Sequence, residues 1–303
     1  MEDRLYKFAR LVEAHSFTKA AAELHISQPA LTTAIKKLER ELHAELLVRG
    51  SHTFELTNAG HMAYQAAKEL SVHVHNLTLR LREAAREKVA LNLGMIDSVA
   101  DLLFVHGDHL TELEHDAELS LTVNNSAQLI RQVAHDELDV ALIAEPARLP
   151  GTLTAALLAE EPLVLVTAKT NEAKVLRELR TKQIHHFLGY NRNSQTHQLV
   201  ARHFSQKEIT LYTTFYSTSP EIMRRLVLAG RGSAVLPYLL VKEDLAAGRL
   251  SAVAFKNGIG SVLRRIVSLH RTGRAVPQSA SGLLERARSE LSQLQKEVKT
   301  ISL

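Results

Sequence analysis

Apolar side chains recur at helical spacing from the start of the chain. Leu5, Phe8, Leu11 and Val12 fit one face of a helix over about residues 4–14. The stretch His15-Ser16-Phe17-Thr18 breaks the pattern, and Thr18 is placed to cap a second helix through Ala20, Ala21 and Leu24. Small alanines there let two helices cross closely. After His25-Ile26, Ser27 reads as an N-cap and Pro29 lies in the first turn, where its missing N–H costs little. Leu31, Ile35, Leu38 and Leu42 then form a buried stripe on a third helix. Gln28, Thr32, Thr33, Lys36, Lys37 and Arg40 are left facing outward.

Residues 58–88 hold no proline, and no glycine after Gly60. Ala59, Ala63, Ala66, Leu70, Val74 (or His73), Leu77, Leu81 and Ala84 follow spacings of three and four, a coiled-coil-like seam. A helix packed on its own domain would look similar. No partner stripe lies nearby in sequence, so the expectation is a helix that pairs two subunits. From Val89 the pattern becomes strand–helix alternation. Strands are expected at 90–95, 118–123, 138–144, 153–158 and 163–167, with a helix at 126–135. A second set has strands at 186–190, 210–215 and 234–236, and helices at 197–205, 220–228 and 238–247. A strand at 262–270 leads to a terminal helix carrying Leu283, Leu284, Ala287, Leu291 and Leu294. This predicts a parallel-rich α/β region. Its two half-domains, about 89–161 with 269–303 and about 162–268, would be joined by crossing strands near 160–168 and 262–270 and leave a cleft between them.

Composition narrows the function classes. Of 303 residues, 45% are hydrophobic and 23% charged, which suits globular domains with a full core. No apolar run reaches the roughly 18 to 20 residues of a membrane helix, and Met1-Glu2-Asp3-Arg4 does not resemble a secretory signal. The expectation is a cytoplasmic protein with no membrane partner. There is no cysteine, which excludes disulfides, thiolate zinc sites, cysteine nucleophiles and thiol redox sensing. Net charge is +4, yet residues 1–58 balance eight Lys and Arg against eight Asp and Glu. A case for nucleic acid therefore rests on where the charge sits, namely Lys36, Lys37 and Arg40 on one short segment.

That outward face suits a major groove. A Gln28 amide can pair with adenine in bidentate fashion, and Thr32 and Thr33 can meet a base edge or a thymine methyl. The cations can reach phosphates. A solvated amphipathic helix would present the same residues. The order of residues adds more. Ser16-Phe17-Thr18-Lys19-Ala20-Ala21, Leu24-His25-Ile26-Ser27-Gln28-Pro29-Ala30-Leu31-Thr32, Ile35, Leu38-Glu39 and Glu41-Leu42 closely resemble the LysR-type signature. Leu46-Leu47-Val48-Arg49 and Leu56-Thr57-Asn58-Ala59-Gly60 are similar to that family's wing and its exit. The resemblance implies a winged helix-turn-helix domain over 1–58, a dimerisation helix over 59–88, and an effector-binding domain over 89–303. It implies that Ser27, Gln28, Pro29, Thr32, Thr33, Lys36, Lys37, Arg49 and His52 lie at double-stranded promoter DNA. The sequence departs from the family pattern at Thr33, where Arg is frequent, at Leu47, where an aromatic is frequent, and in a wing poor in cations.

The remainder resembles the LysR-type effector domain, itself similar to two-lobed periplasmic binding proteins, through Leu138-Asp139-Val140-Ala141-Leu142-Ile143 and the run from Leu226 to Pro237. In such folds ligands sit beyond strand ends, at helix N-termini with free N–H groups. Four junctions fit: Asp97-Ser98; Asn125-Ser126; Ser217-Thr218, with Glu221 three residues after Thr218 as in a capping box; and Arg192, Ser194 and Thr196. Each hydroxyl could equally serve only as a cap. The effector's charge stays open, since Arg192 and Arg148 suit a carboxylate and Asp97 and Glu145 a cation. The sixteen histidines include close pairs His73/His75, His106/His109 and His185/His186, but no His-Glu-x-x-His pattern, so no metal and no cofactor are expected. The reading is a ligand-responsive transcription regulator that assembles as a dimer and further as a tetramer, acts at the nucleoid, and contacts RNA polymerase if it activates. An enzyme on the same scaffold is the rival, against which no Gly-x-Ser-x-Gly elbow or phosphate-binding glycine loop is found. A DNA-binding architectural protein without a ligand is a third possibility.

Overall fold

A computed structural model of the chain describes residues 1–48, 54–85, 89–106, 117–253 and 262–301. The chain divides into two compact units, Met1–Arg86 with Gly273–Ala275, and Glu87–Thr272 with Val276–Leu303.

The first unit opens with three helices, α1 (Glu2–Ala14), α2 (Phe17–Glu23) and α3 (Gln28–Leu42). Phe8, Leu11, Ala20, Ala21, Leu31, Ile35 and Leu38 form their common core. Ser16, two residues before Thr18, is the N-cap of α2, accepting from the Lys19 N–H at 3.4 Å. Ser27 caps α3 as expected, accepting from the Ala30 N–H at 3.3 Å. The α2–α3 turn passes through His25 at φ 52°, and His15 and His43 end α1 and α3 at φ 51° and 50°. Three histidines of this unit thus stand at left-handed turn positions that glycine more often fills. Beyond α3, Leu47 and Leu56 form an antiparallel bridge, and the Val48 N–H donates to the Glu55 carbonyl at 3.0 Å. This is the base of the wing. Helix α4 (Asn58–Ala84) follows. A Cβ at Gly60 would lie 2.1 Å from the Leu46 carbonyl oxygen, so only glycine lets α4 start this close to the wing.

The seam on α4 splits into two parts. Ala59, Ala63 and Tyr64 pack against the three-helix core, so that end belongs to its own domain. Leu70, Val74, Leu77 and Leu81 are exposed, Leu77 and Leu81 by about three-fifths of their surface. Together they form an apolar stripe exposed among the described residues.

The second unit is built on a sheet in the order β2-β1-β3-β9-β4-β7-β5-β6, with β8 (Leu250–Ala252) paired to β4. Strands β1 (Val89–Met95), β2 (Ala117–Val123) and β3 (Val140–Ala144) form one parallel group. Strands β5 (Gln183–Tyr190), β6 (Thr210–Ser217) and β7 (Ser233–Pro237) form a second. Two long strands, β4 (Leu153–Ala168) and β9 (Val262–Arg271), run antiparallel between the groups. The expected strands at 153–158 and 163–167 are therefore one. Glu160-Glu161-Pro162 breaks the apolar pattern, and a proline usually ends a paired strand. Here β4 gains β7 as a second neighbour only from Leu163 onward, so Pro162 is tolerated where the strand is paired on one side. The sheet is mixed rather than parallel-rich, because both crossing strands pair antiparallel on each side. Buried side chains from both groups, among them Leu93, Leu142, Leu188 and Leu236, belong to one continuous core.

Helices α5 (Asp97–Asp101) and α6 (Ser126–Ala134) follow strands of the first group. Helix α7 (Glu172–Arg180), absent from the sequence reading, follows β4. Helices α8 (Gln195–Gln206), α9 (Pro220–Leu228) and α10 (Tyr238–Ala246) follow strands of the second group. The terminal helix α11 (Gln278–Ile301) buries Leu283, Ala287, Leu291 and Leu294.

Candidate functional site

Helix α3 presents Gln28, Pro29, Thr33, Lys36, Lys37 and Arg40 to solvent, with Thr32 half-buried beside them. The face exists because Leu31, Ile35 and Leu38 turn the opposite side of the helix into the core. The Gln28 Oε1 accepts from the Thr18 hydroxyl at 3.3 Å, which ties the first residue of α3 to α2. The hydroxyls of Thr32 and Thr33 donate back to the carbonyls of Gln28 and Pro29 at 3.0 and 2.9 Å. Their methyls and oxygen lone pairs are then what a partner meets. Arg4 clamps α1 to α3 by donating to the Glu41 carboxylate through Nε at 3.1 Å and Nη2 at 2.5 Å. That contact holds the Glu41 carboxyl below its ordinary range. The remaining two DNA candidates, Arg49 and His52, lie outside the described residues.

In the second unit the proposed ligand residues do not form one set. Ser98 and Thr196 come together through a shared partner. Ser98 stands on α5 after β1, and Thr196 on α8 after β5, so they belong to different parallel groups. Both are buried, and a buried Arg264 from β9 joins them. Its Nη2 donates to the Ser98 hydroxyl oxygen at 2.9 Å and its Nη1 to the Thr196 hydroxyl oxygen at 3.1 Å. Nε donates to Glu161 Oε2 at 2.8 Å, and Nη2 reaches the same oxygen. Glu161 and Arg264 are register partners on the crossing strands. Burial would lower the Arg264 affinity for its proton; Glu161, Tyr190 and Asp97 oppose this and hold it further up. Ser98 is thus an acceptor for a guanidinium, not a helix cap.

Tyr190, at the end of β5, is buried and its hydroxyl has no partner among the described residues. Burial pushes its phenol well up, with Arg264 pulling down and Glu161 and Asp97 pushing up, so the group stays neutral. Asp97 retains solvent contact; desolvation raises its carboxyl, Arg264 lowers it and Asp101 raises it.

The other candidates are caps or rim residues. Asn125, not Ser126, caps α6, accepting from the Gln128 N–H at 3.1 Å. The Ser126 hydroxyl instead accepts from the Ala144 N–H at 3.2 Å, tying α6 to the end of β3. Ser194 caps α8, accepting from the His197 N–H at 3.0 Å. The capping box expected at Thr218 is shifted by one. Ser219 is the cap of α9, accepting from the Ile222 N–H at 3.3 Å, and Ser217 accepts from the Ser219 N–H at 3.0 Å. Thr218 is exposed, and Glu221 faces Arg224 and Arg225 because it stands three and four residues before them on α9. The Arg192 guanidinium lies 4.6 Å from the Tyr216 ring centroid. Glu145 is paired with Arg265 at 2.8 Å and does not join the site. Sequence reasoning missed Glu161, Arg264 and Tyr190. The available signal was a charged pair in each of the two expected crossing segments, Glu160-Glu161 and Arg264-Arg265. Among the described residues no three His, Asp or Glu side chains gather as a metal set, and no helix is long and apolar enough to cross a membrane.

Residues 3–61 match the bacterial regulatory helix-turn-helix domain of the lysR family, and residues 84–292 match the LysR substrate-binding domain. The chain belongs to the LysR family. This LysR-family protein is accordingly a DNA-binding transcription regulator with a small-molecule-binding domain, and the enzyme alternative falls away. It is 23% identical to the RuBisCO operon transcriptional regulator of Allochromatium vinosum over 96% of each chain. It is 30% identical to the Hca operon transcriptional activator HcaR of Escherichia coli over 58% of this chain and 60% of that one. Among solved structures, ArgP of Mycobacterium tuberculosis superposes with a TM-score of 0.62 at 19% identity, covering 96% of this LysR chain and 97% of ArgP. Vibrio fischeri DarR, solved in complex with DNA, gives 0.52 at 19% identity over 94% and 98%. At that identity the likeness is one of fold.

Proposed function

We propose that this regulator reads promoter DNA with the outward face of α3 and responds to a small molecule held between its two parallel strand groups. Gln28, Thr32 and Thr33 would meet base edges, while Ser27, Pro29, Lys36, Lys37, Arg49 and His52 set the register on the backbone. Ser98 and Thr196 would form the floor of the ligand cleft, with Asp97, Asn125, Ser126, Arg192, Ser194, Ser217 and Thr218 toward its walls and rim. The observation that supports this most is Arg264, which joins hydroxyls from both strand groups to a carboxylate on the crossing strands. A ligand competing for those hydroxyls would favour one relative arrangement of the groups, and only such a difference in affinity can shift a population.

The exposed stripe Leu70, Val74, Leu77 and Leu81 supports pairing of two chains through α4, with further association to a tetramer. The working compartment is the cytoplasm, at the nucleoid, and an activating role would bring RNA polymerase as a partner. The test is a metabolite screen by thermal shift on the full chain, followed by DNA binding upstream of neighbouring genes. A ligand specific to the folded state raises stability by RT ln(1 + [L]/Kd). The reading predicts that Ser98→Ala and Thr196→Ala weaken the stabilising compound while ligand-free DNA affinity stays. Native affinity in both variants refutes the cleft assignment.

A further inference from the structure

The cleft floor has an unusual charge arrangement, since its arginine is already occupied. Arg264 directs Nε and Nη2 at Glu161, Nη1 at Thr196 and Nη2 also at Ser98. Glu161, itself only 2% exposed, neutralises the guanidinium. What remains is an excess of negative charge from Asp97, with Asp101 close enough to oppose its ionisation. A second observation is independent of charge. The Tyr190 hydroxyl is buried, lacks any partner among the described residues, and lies within the electrostatic reach of Arg264, Glu161 and Asp97. A buried hydroxyl left unpaired is costly, so such groups ordinarily have a partner.

Resting on the reading of this region as the ligand cleft, we propose that it takes a ligand bearing a cationic amine and rejects simple carboxylates. An ammonium group offers N–H donors and one positive charge. It would donate to the Asp97 carboxylate, meeting the excess charge, and to the Tyr190 hydroxyl oxygen, leaving the Tyr190 O–H to donate to an acceptor elsewhere on the ligand. A carboxylate would find the guanidinium engaged and would face the carboxylates of Glu161 and Asp97, so hydroxyl donors alone would have to outweigh like-charge repulsion. Ser98 and Thr196 accept from Arg264, so their own O–H groups remain donors for another polar group of the ligand. Arg192 is the opposing cation; it and Asp97 are both solvent-exposed and so both screened, but the Arg192 guanidinium is also engaged by the Tyr216 ring. Glu161 is thus the specificity-determining residue: it fills from within the place an anionic ligand would need.

The test uses a matched set of probes, n-butylammonium, butyrate and 1-butanol, added to the full chain at equal concentration and constant ionic strength, with binding read by thermal shift and calorimetry. The expected result is stabilisation by butylammonium and none by butyrate. Tyr190→Phe keeps the ring and the packing, and should weaken butylammonium about tenfold, the loss of one hydrogen bond to a charged group. Glu161→Gln should let butyrate stabilise; if that variant does not fold, the wild-type and Tyr190→Phe arms decide alone. Butyrate stabilising the wild type in preference to butylammonium overturns the charge assignment while leaving the cleft reading intact. No stabilisation by any of the three, or unchanged butylammonium affinity in Tyr190→Phe, overturns the proposal. The cleft reading fails separately, through the Ser98→Ala and Thr196→Ala result above.

Discussion

Removing the Glu161 carboxylate tests the buried pair directly. Arg264 is 7% exposed and Glu161 2%. In Glu161→Ala the guanidinium keeps two hydroxyl acceptors but loses its counter-charge, and burying an unpaired ion costs about 3–5 kcal/mol. For a unit of about 200 residues, 1 kcal/mol moves Tm by about 2–4 °C, so the variant should melt roughly 6–20 °C lower. The sign depends on breaking one partner only. Replacing both, as Glu161→Leu with Arg264→Met, removes the desolvation cost of each ion along with their attraction, and such swaps are often neutral. Ser98 and Thr196 each lose a donor in the double variant, so recovery should fall short of wild type by about 1–2 kcal/mol. The assay is a double-mutant cycle on the full chain by calorimetry and denaturant titration. A loss below about 1 kcal/mol in Glu161→Ala, or a double variant as unstable as the two singles summed, would refute the reasoning, since the pair would then not be electrostatically coupled.

Three further outcomes follow from the same geometry. Gln28→Ala should cost about 1–3 kcal/mol on the preferred DNA and relax one base preference, whereas Lys37→Ala should weaken all sequences alike and lower the salt slope by about one; anisotropy on operator and scrambled DNA separates them, and a uniform loss in Gln28→Ala counts against base readout. Leu77→Glu places a carboxylate on the exposed α4 stripe and should halve the mass seen by light scattering with little change in the fold; an unchanged mass means that the stripe is not the pairing surface. The Glu41 carboxyl is depressed from its ordinary 4.5 chiefly by the Arg4 hydrogen bond, so its contribution is present above that value and lost as pH falls through the lower, folded one. Arg4→Ala should therefore flatten the acid limb of the melting curve, and an identical limb in both proteins would contradict the assignment.

The sequence by itself determined whatever local pattern and turn chemistry can encode. The helices of the first unit follow from apolar spacing, and Ser27 capping α3 ahead of Pro29 follows from backbone donors that a side-chain oxygen at that position can satisfy. Most strand and helix positions of the second unit were legible for the same reason. Caps were less secure where two or more side chains able to cap stand within a few residues. Ser16 rather than Thr18, Asn125 rather than Ser126, and Ser219 rather than Thr218 hold the cap positions, because the choice depends on the φ and ψ of one residue at the end of a turn. Tertiary structure alone decided that β4 continues through Glu160-Glu161-Pro162, since the pairing with β9 outweighs a local break. It alone decided that the α4 seam divides between its own core and an open stripe. It also decided the site. Ser98, Glu161, Tyr190, Thr196 and Arg264 span 166 residues of chain between the outermost pair, and no periodicity links them. They meet because two crossing strands bring one register pair beneath helices of both strand groups, and charge can be buried there only when its partners arrive together.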